Sequence, residues 1–156
     1  MTETDDRIRA RRKVLALLTD HDRTEKELRD KLTSAGFESG IIEDAIGYAK
    51  SYGYVDDSLF AARYIDRFRD CRSLERIRCD LLKKGLTRDQ ISQALEEAGP
   101  IDQKALIRRL VLKKAGTESP ADSLVRQKLI QSLLRRGFRL GDVLAVVGGA
   151  DDMTAE

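Results

Sequence analysis

The chain has 156 residues, 36% of them charged and 41% apolar, with a formal net charge of +2, two cysteines, two prolines and one histidine. Its apolar runs fall short of the roughly 20 residues of a membrane span, residues 1–12 are charged where a signal peptide would be apolar, and two cysteines cannot build a disulfide framework. The composition excludes a membrane protein and a disulfide-stapled domain, and the expected location is a reducing cytoplasm.

Apolar spacings of three and four predict a first helix over residues 6–19, with Ile8, Val14, Leu15 and Leu18 inward. Thr24 and Glu27 form a capping box that opens a second helix, stopped by Gly36. A third covers 39–52 with Ser39 as its cap candidate, and the Gly53-Tyr54 turn follows. Asp56 or Asp57 caps a fourth, where Phe60, Tyr64 and Phe68 recur every four residues and read as a core-packing stripe. The fifth spans 73–84, and the sixth follows the Thr87/Gln90 cap and ends near Gly99-Pro100. A seventh covers 102–115, then residues 116–119 read as a linker. Ser119-Pro120, a cap and first-turn proline, starts an eighth that runs to Arg136. The ninth occupies 141–147, with Gly141-Asp142 as cap candidates and a frayed acidic tail behind it.

These helices repeat. Counting from Gly36, Gly85 and Gly137, the residues eight before are Leu28, Ile77 and Leu129, four before Leu32, Leu81 and Leu133, and one after Phe37, Leu86 and Phe138. Six after stand Ile42, Ile91 and Val143, nine after Ala45, Ala94 and Val146, and ten after Ile46, Leu95 and Val147. All eighteen positions are apolar. Spacings of 49 and 52 residues point to a helical module used three times. The expected fold class is all-α: three tandem three-helix repeats, at residues 1–54, 55–99 and 100–148, forming an elongated, curved helical array, with an acidic flexible tail at 149–156.

Charge is segregated along the chain. Residues 1–62 carry net −3, 63–88 net +5, 89–103 net −4, 104–139 net +8 and 140–156 net −4. The two basic blocks place Arg63, Arg67, Arg72, Arg76, Lys83 and Lys84 in the second module. They place Arg108, Arg109, Lys113, Lys114, Arg126, Lys128, Arg135, Arg136 and Arg139 in the third. These fifteen are the candidate partner-binding residues, because like charge at this density calls for an anionic neighbour, nucleic acid or an acidic protein groove. On helix seven Arg109 and Lys113 form one ridge, and on helix eight Lys128 and Arg135 form another.

Catalytic chemistry has no foothold in this sequence. His21 stands alone in a turn, Cys71 and Cys79 have neither redox nor zinc spacing, and the adjacent acid pairs Asp56-Asp57, Glu96-Glu97 and Asp151-Asp152 diverge on a helix. There is no phosphate-cradling Gly-x-x-x-x-Gly-Lys, and the Gly36–Gly40 segment is not a nucleophile elbow. No catalytic residue, metal site or cofactor is expected.

The segment Gly53-Tyr54-Val55-Asp56-Asp57-Ser58-Leu59-Phe60-Ala61-Ala62-Arg63-Tyr64, followed by Arg76-Ile77-Arg78-Cys79-Asp80-Leu81-Leu82-Lys83-Lys84-Gly85-Leu86, closely resembles the signature of the RecX family of recombination regulators. Residues 128–143, with Leu133-Leu134-Arg135-Arg136-Gly137-Phe138, resemble that family's third repeat, and the match extends from about residue 8 to 147. One departure is Cys71-Arg72-Ser73, where the family usually has loop glycines. The resemblance implies a non-enzymatic, cytoplasmic, monomeric regulator of recombination, DNA repair and the SOS response. It would bind the RecA filament on single-stranded DNA along its helical groove and inhibit ATPase, strand-exchange and coprotease activities, with weak direct DNA contact in addition.

An alternative is a helix-turn-helix protein that binds DNA directly, since Leu81-Leu82-Lys83-Lys84-Gly85-Leu86-Thr87 resembles a two-helix turn. The recognition helix would then be residues 89–98, whose Asp89, Glu96 and Glu97 suit a phosphate-lined groove badly.

Overall fold

The structure is a computed structural model that describes residues 2–115 and 123–148. The linker and cap expected at 116–120 and the tail at 149–156 lie outside the described residues. Among the described residues there are nine helices and no strand: α1 (Glu3–Asp20), α2 (Glu25–Ser34), α3 (Ser39–Ser51), α4 (Asp57–Phe68), α5 (Leu74–Lys83), α6 (Arg88–Ala98), α7 (Gln103–Ala115), α8 (Ser123–Arg135) and α9 (Leu140–Val147).

Local chemistry sets the helix starts. α1 begins earlier than expected because Thr2 and Asp5 form a capping box, with the Asp5 N–H donating to the Thr2 hydroxyl at 3.2 Å. The boxes at Thr24/Glu27 and Thr87/Gln90 form as the sequence predicts. Asp56, rather than Asp57, caps α4, accepting from the Ser58 and Leu59 N–H groups at 3.0 and 3.2 Å. Ser39 and Asp142 do not act as caps. The N-cap residues are Glu38 and Arg139, neither with a side-chain cap bond, and the two candidates already sit inside their helices.

The three glycines stop α2, α5 and α8 in one way. Gly36, Gly85 and Gly137 adopt φ of 90°, 97° and 93°, in the left-handed region where a Cβ is penalised. The next residue's N–H reaches back to the carbonyl five earlier at 3.2 Å in every case: Phe37 to Leu32, Leu86 to Leu81, Phe138 to Leu133. This is the Schellman motif with its usual apolar clasp.

Fourteen of the eighteen repeat positions are buried, and Phe37, Leu95, Val146 and Val147 are half-buried. Two readings of inward faces change. Ile8 is 45% exposed, and Ala10 and Val14 carry the buried face of α1. On α4, Ala61 and Ile65 are fully buried, while Phe60, Tyr64 and Phe68, one step around the helix, are half-buried on its flank.

The chain forms two compact units, and the division falls within α4 and within α5. The first comprises the described residues up to Ile65 together with Asp80–Ala98. Here α1, α2 and α3 pack on one another around Ala10, Val14, Leu28, Leu32, Ile42, Ile46 and Val55. The second comprises Asp66–Cys79 with the described residues from Gly99 onward. In it α9 packs on α7 and α8 around Leu106, Ile107, Leu133, Phe138 and Val143.

Each unit contains the same junction. Thr24 and Ser73 are the buried polar residues among those described, and each stands twelve residues before its module's glycine. In the first unit the Thr24 hydroxyl accepts the Glu27 N–H at the start of α2 and donates to the Lys84 carbonyl at 2.6 Å, one residue before Gly85. In the second, the Ser73 hydroxyl accepts the Arg76 N–H at 3.1 Å and donates to the Arg136 carbonyl at 2.5 Å, one residue before Gly137. A helix N-terminus is thereby stapled to a helix C-terminus, and the partial charges of the two ends attract.

The junction gives two glycines a second reason to be glycine. A Cβ on Gly85 would overlap the Lys26 side chain, and one on Gly137 would stand 2.9 Å from the Ser73 hydroxyl, whereas one on Gly36 would meet nothing within 4 Å. Gly36→Ala should therefore cost about 1 to 2 kcal/mol from backbone strain alone, and Gly85→Ala and Gly137→Ala should each cost more. Denaturant unfolding of the three variants checks this, and equal losses would mean that the junctions accommodate a Cβ.

Candidate partner-binding surface

In the first unit carboxylates already neutralise most basic groups. Arg11 makes two hydrogen bonds to Asp44, both 3.1 Å, and Arg29 two to Glu43, at 2.6 and 3.1 Å, and these donors hold both carboxyls below their ordinary values. Burial pushes the Asp57 carboxyl up, although it accepts the Glu25 N–H at 3.0 Å. Of the candidate residues here, Arg63 lies 2.7 Å from Asp22. Lys84 is half-buried, 3.9 Å from Glu27, with its ammonium over the Phe60 and Tyr64 rings at 5.7 and 6.0 Å. Its carbonyl is the acceptor for Thr24, so Lys84 serves the junction and covers the aromatic flank. Lys83 is exposed.

In the second unit five of the candidates line two depressions. Arg72, Arg76 and Arg136 line a pocket of about 190 Å³ with Cys71, Ser73 and Phe138. Arg72 stacks on the Phe68 ring at 3.8 Å, and Arg67 approaches the same ring at 5.1 Å. Lys113, Lys114 and Arg136 edge a larger cleft of about 350 Å³, which Leu110, Val111, Leu129 and Leu133 make apolar. Lys114 also donates to the Ser132 hydroxyl at 2.8 Å. Arg136 belongs to both depressions because its backbone is pinned by Ser73.

The residues of the two expected ridges, Arg109 with Lys113 and Lys128 with Arg135, are all exposed. Arg109 turns to Asp70, 3.6 Å away, while Lys113 faces the cleft. Lys128, Arg135, Arg108 and Arg139 are exposed but line neither depression, and Arg126 is half-buried.

Sequence reasoning passed over two features. Tyr48, Tyr52 and Tyr54 form an aromatic run with ring centroids 5.1 and 5.5 Å apart, Tyr52 being 63% and Tyr54 51% exposed, and Arg11 lies over Tyr48 at 4.6 Å. Its signal was tyrosines four apart with a third just past Gly53. The second is the pair Thr24 and Ser73, whose shared offset of twelve from a glycine was legible but unread.

Comparison with known proteins decides the family. The model of the RecX first three-helix domain matches residues 10–48, and that of the third matches residues 102–147. The chain belongs to the RecX family. Regulatory protein RecX of Pectobacterium atrosepticum is 34% identical over 132 residues, covering 84% of this chain and 80% of that one. Regulatory protein RecX of Clostridium perfringens strain SM101 is 32% identical over 142 residues, 88% of this chain and 66% of that one. This chain thus spans about two thirds of the clostridial relatives' length. A crystal structure of regulatory protein RecX superposes with a TM-score of 0.79 at 25% identity, over 94% of this chain and 74% of that chain. RecX from Lactobacillus salivarius shares the fold, with a TM-score of 0.81 at 24% identity over 95% and 98% of the two chains.

The exposed basic residues sit on the RecX fold without holding it together. Single changes to glutamine at Arg108, Lys128, Arg135 and Arg139 should each leave stability within about 0.5 kcal/mol of the parent. Thermal unfolding followed by circular dichroism measures this, and a loss well above that figure would place the residue in the packing of α7 or α8.

Proposed function

We propose that the chain is a non-enzymatic regulator of the RecA recombinase: it binds the RecA filament on single-stranded DNA along its helical groove and inhibits ATPase, strand-exchange and coprotease activities. The observation that carries this reading is an apolar cleft edged by Lys113, Lys114 and Arg136 in a unit with many exposed basic residues, on a chain whose family is one of regulatory proteins. Cationic side chains edging an apolar cleft suit an acidic protein groove, where complementarity steers encounter and apolar contact retains it. The three-module partition at 1–54, 55–99 and 100–148, the cytoplasmic location and the monomeric state belong to the same proposal. Modules on one chain bind with the avidity of linked sites.

The test is RecA ATP hydrolysis on single-stranded DNA with and without the purified chain. The expected outcome is inhibition at comparable or lower amounts of the chain. A second arm reverses Lys113, Lys128, Arg135 and Arg139 to glutamate, which takes the net charge of residues 104–139 from +8 to zero by formal count. This variant should fold normally and inhibit only at higher concentration, because association slows when the field is removed. Untouched RecA activity together with tight binding of one duplex sequence would favour the helix-turn-helix reading. Steep loss of binding with added salt would point the same way.

A further inference from the structure

We propose that the apolar cleft between α7 and α8 is the docking site of this chain's own acidic segment, residues 150–156, with Met153 seated between the apolar walls and Asp151, Asp152 and Glu156 facing the basic rim. The docked segment competes with an outside partner for the cleft. That competition rests on the regulatory reading given above, whereas the contact itself does not.

The cleft suits a short acidic segment with one apolar anchor. Leu110, Val111, Leu129 and Leu133 form its walls and Lys113, Lys114 and Arg136 its rim, so the lining carries three cations and no carboxylate. Lys114 donates across to the Ser132 hydroxyl of α8 at 2.8 Å, and Ser73 holds the Arg136 backbone. Two of the three cations thus start from constrained positions, and less side-chain freedom is lost when an anion arrives. The volume of about 350 Å³ lies at the low end of ligand clefts, about 300 to 1,000 Å³, which fits a few side chains better than a whole helix.

Charge, composition and reach select the occupant. Residues 149–156 hold three carboxylates, Asp151, Asp152 and Glu156, no basic residue, and one large apolar side chain, Met153. The carboxylates match the rim cations in number, and an unbranched thioether adapts to an irregular apolar space. α9 starts the segment from the right place. Val146 and Val147, its last residues, pack against the core cluster to which Leu110 and Val111 also belong, and those two residues are walls of the cleft. Met153 lies six positions beyond Val147, an extended reach of about 20 Å, against a helix diameter of about 10 to 12 Å to be crossed. Tethering makes a weak contact sufficient. A short connection gives an effective concentration on the order of 1 mM, so a segment whose separate Kd is about 1 mM is roughly half-docked in the chain.

Nuclear magnetic resonance on the full chain tests the contact. With Cys71 and Cys79 changed to serine and Ala155→Cys carrying a nitroxide, the methyl signals of Leu110, Val111, Leu129 and Leu133 should broaden. Asp151→Asn, Asp152→Asn and Met153→Ala together should reduce that broadening severalfold. Lys113→Glu with Lys114→Glu should do the same, and adding Asp151→Lys and Asp152→Lys to that pair should restore it, a rescue that mere nearness of the segment does not produce. The segment changes leave α7, α8 and α9 as they are, so they decide the matter even if the rim variant unfolds. No broadening, or broadening that survives the segment changes, overturns the proposal. Broadening between molecules, seen when the nitroxide and the observed methyls are on different copies, also overturns it and assigns the cleft to a second copy. RecA ATP hydrolysis measured with the same chains separates the two readings. A half-docked segment halves the competent fraction, so the chain with the segment changes should inhibit at about half the concentration the parent needs. Equal inhibition despite broadening overturns the competition. Inhibition without broadening sinks the docking alone, and broadening without inhibition by either chain sinks the regulatory reading alone.

Discussion

A buried hydroxyl shared between a helix start and a helix end is the interaction on which the rest of this structure depends. Thr24 and Ser73 each satisfy one orphan N–H of their own helix and one orphan carbonyl of a helix far along the chain. Losing either hydroxyl would leave a carbonyl in a part-buried junction without this donor. The glycines after Lys84 and Arg136 complete the device. Their positive φ ends the helix there, and their missing Cβ lets the incoming helix start approach. The third repeat has Val125 at the equivalent offset, inside α8, so among the described residues the staple occurs twice.

This constraint also arranges the surface. By fixing the Arg136 backbone against the start of α5, Ser73 draws Arg72, Arg76 and Arg136 to one pocket and leaves the Arg136 side chain at the edge of the apolar cleft. In the first unit the same device commits Lys84 to the junction, and the carboxylates of Asp22, Asp44 and Glu43 take up Arg63, Arg11 and Arg29. The units therefore differ in what they offer a partner, although they are built alike. One presents paired charge and an exposed tyrosine run, the other convergent arginine.

The fold was legible because it rests on local, periodic signals. An i, i+4 stripe ended by a glycine specifies helix, stop and buried face at once, and the repeat positions are buried or half-buried as the pattern predicts. Errors arose where one step around a helix matters. Phe60, Tyr64 and Phe68 share a face with one another but not with the core, and the neighbouring small residue Ala61 let α4 pack through a different stripe. The candidate surface was less legible. Basic residues could be counted, but which ones converge depends on contacts such as Arg109 with Asp70 and Ser73 with Arg136, across 39 and 63 positions, and no spacing rule reports those. Ser73 illustrates both sides. As a cap it follows from its place before α5, while its bond to Arg136 is visible only in three dimensions.

If one hydroxyl couples two distant segments, removing it must loosen both. Native-state hydrogen exchange on the Ser73→Ala variant tests this most directly, read at the amides of α5 that follow Ser73 and at those of α8 and α9 on either side of Gly137. The account predicts that protection falls in both regions together and by comparable factors, while the core amides around Leu28 and Ile46 in the first unit keep theirs. Loss confined to the first turn of α5, with α8 and α9 unchanged, would reduce Ser73 to an ordinary helix cap and contradict the account.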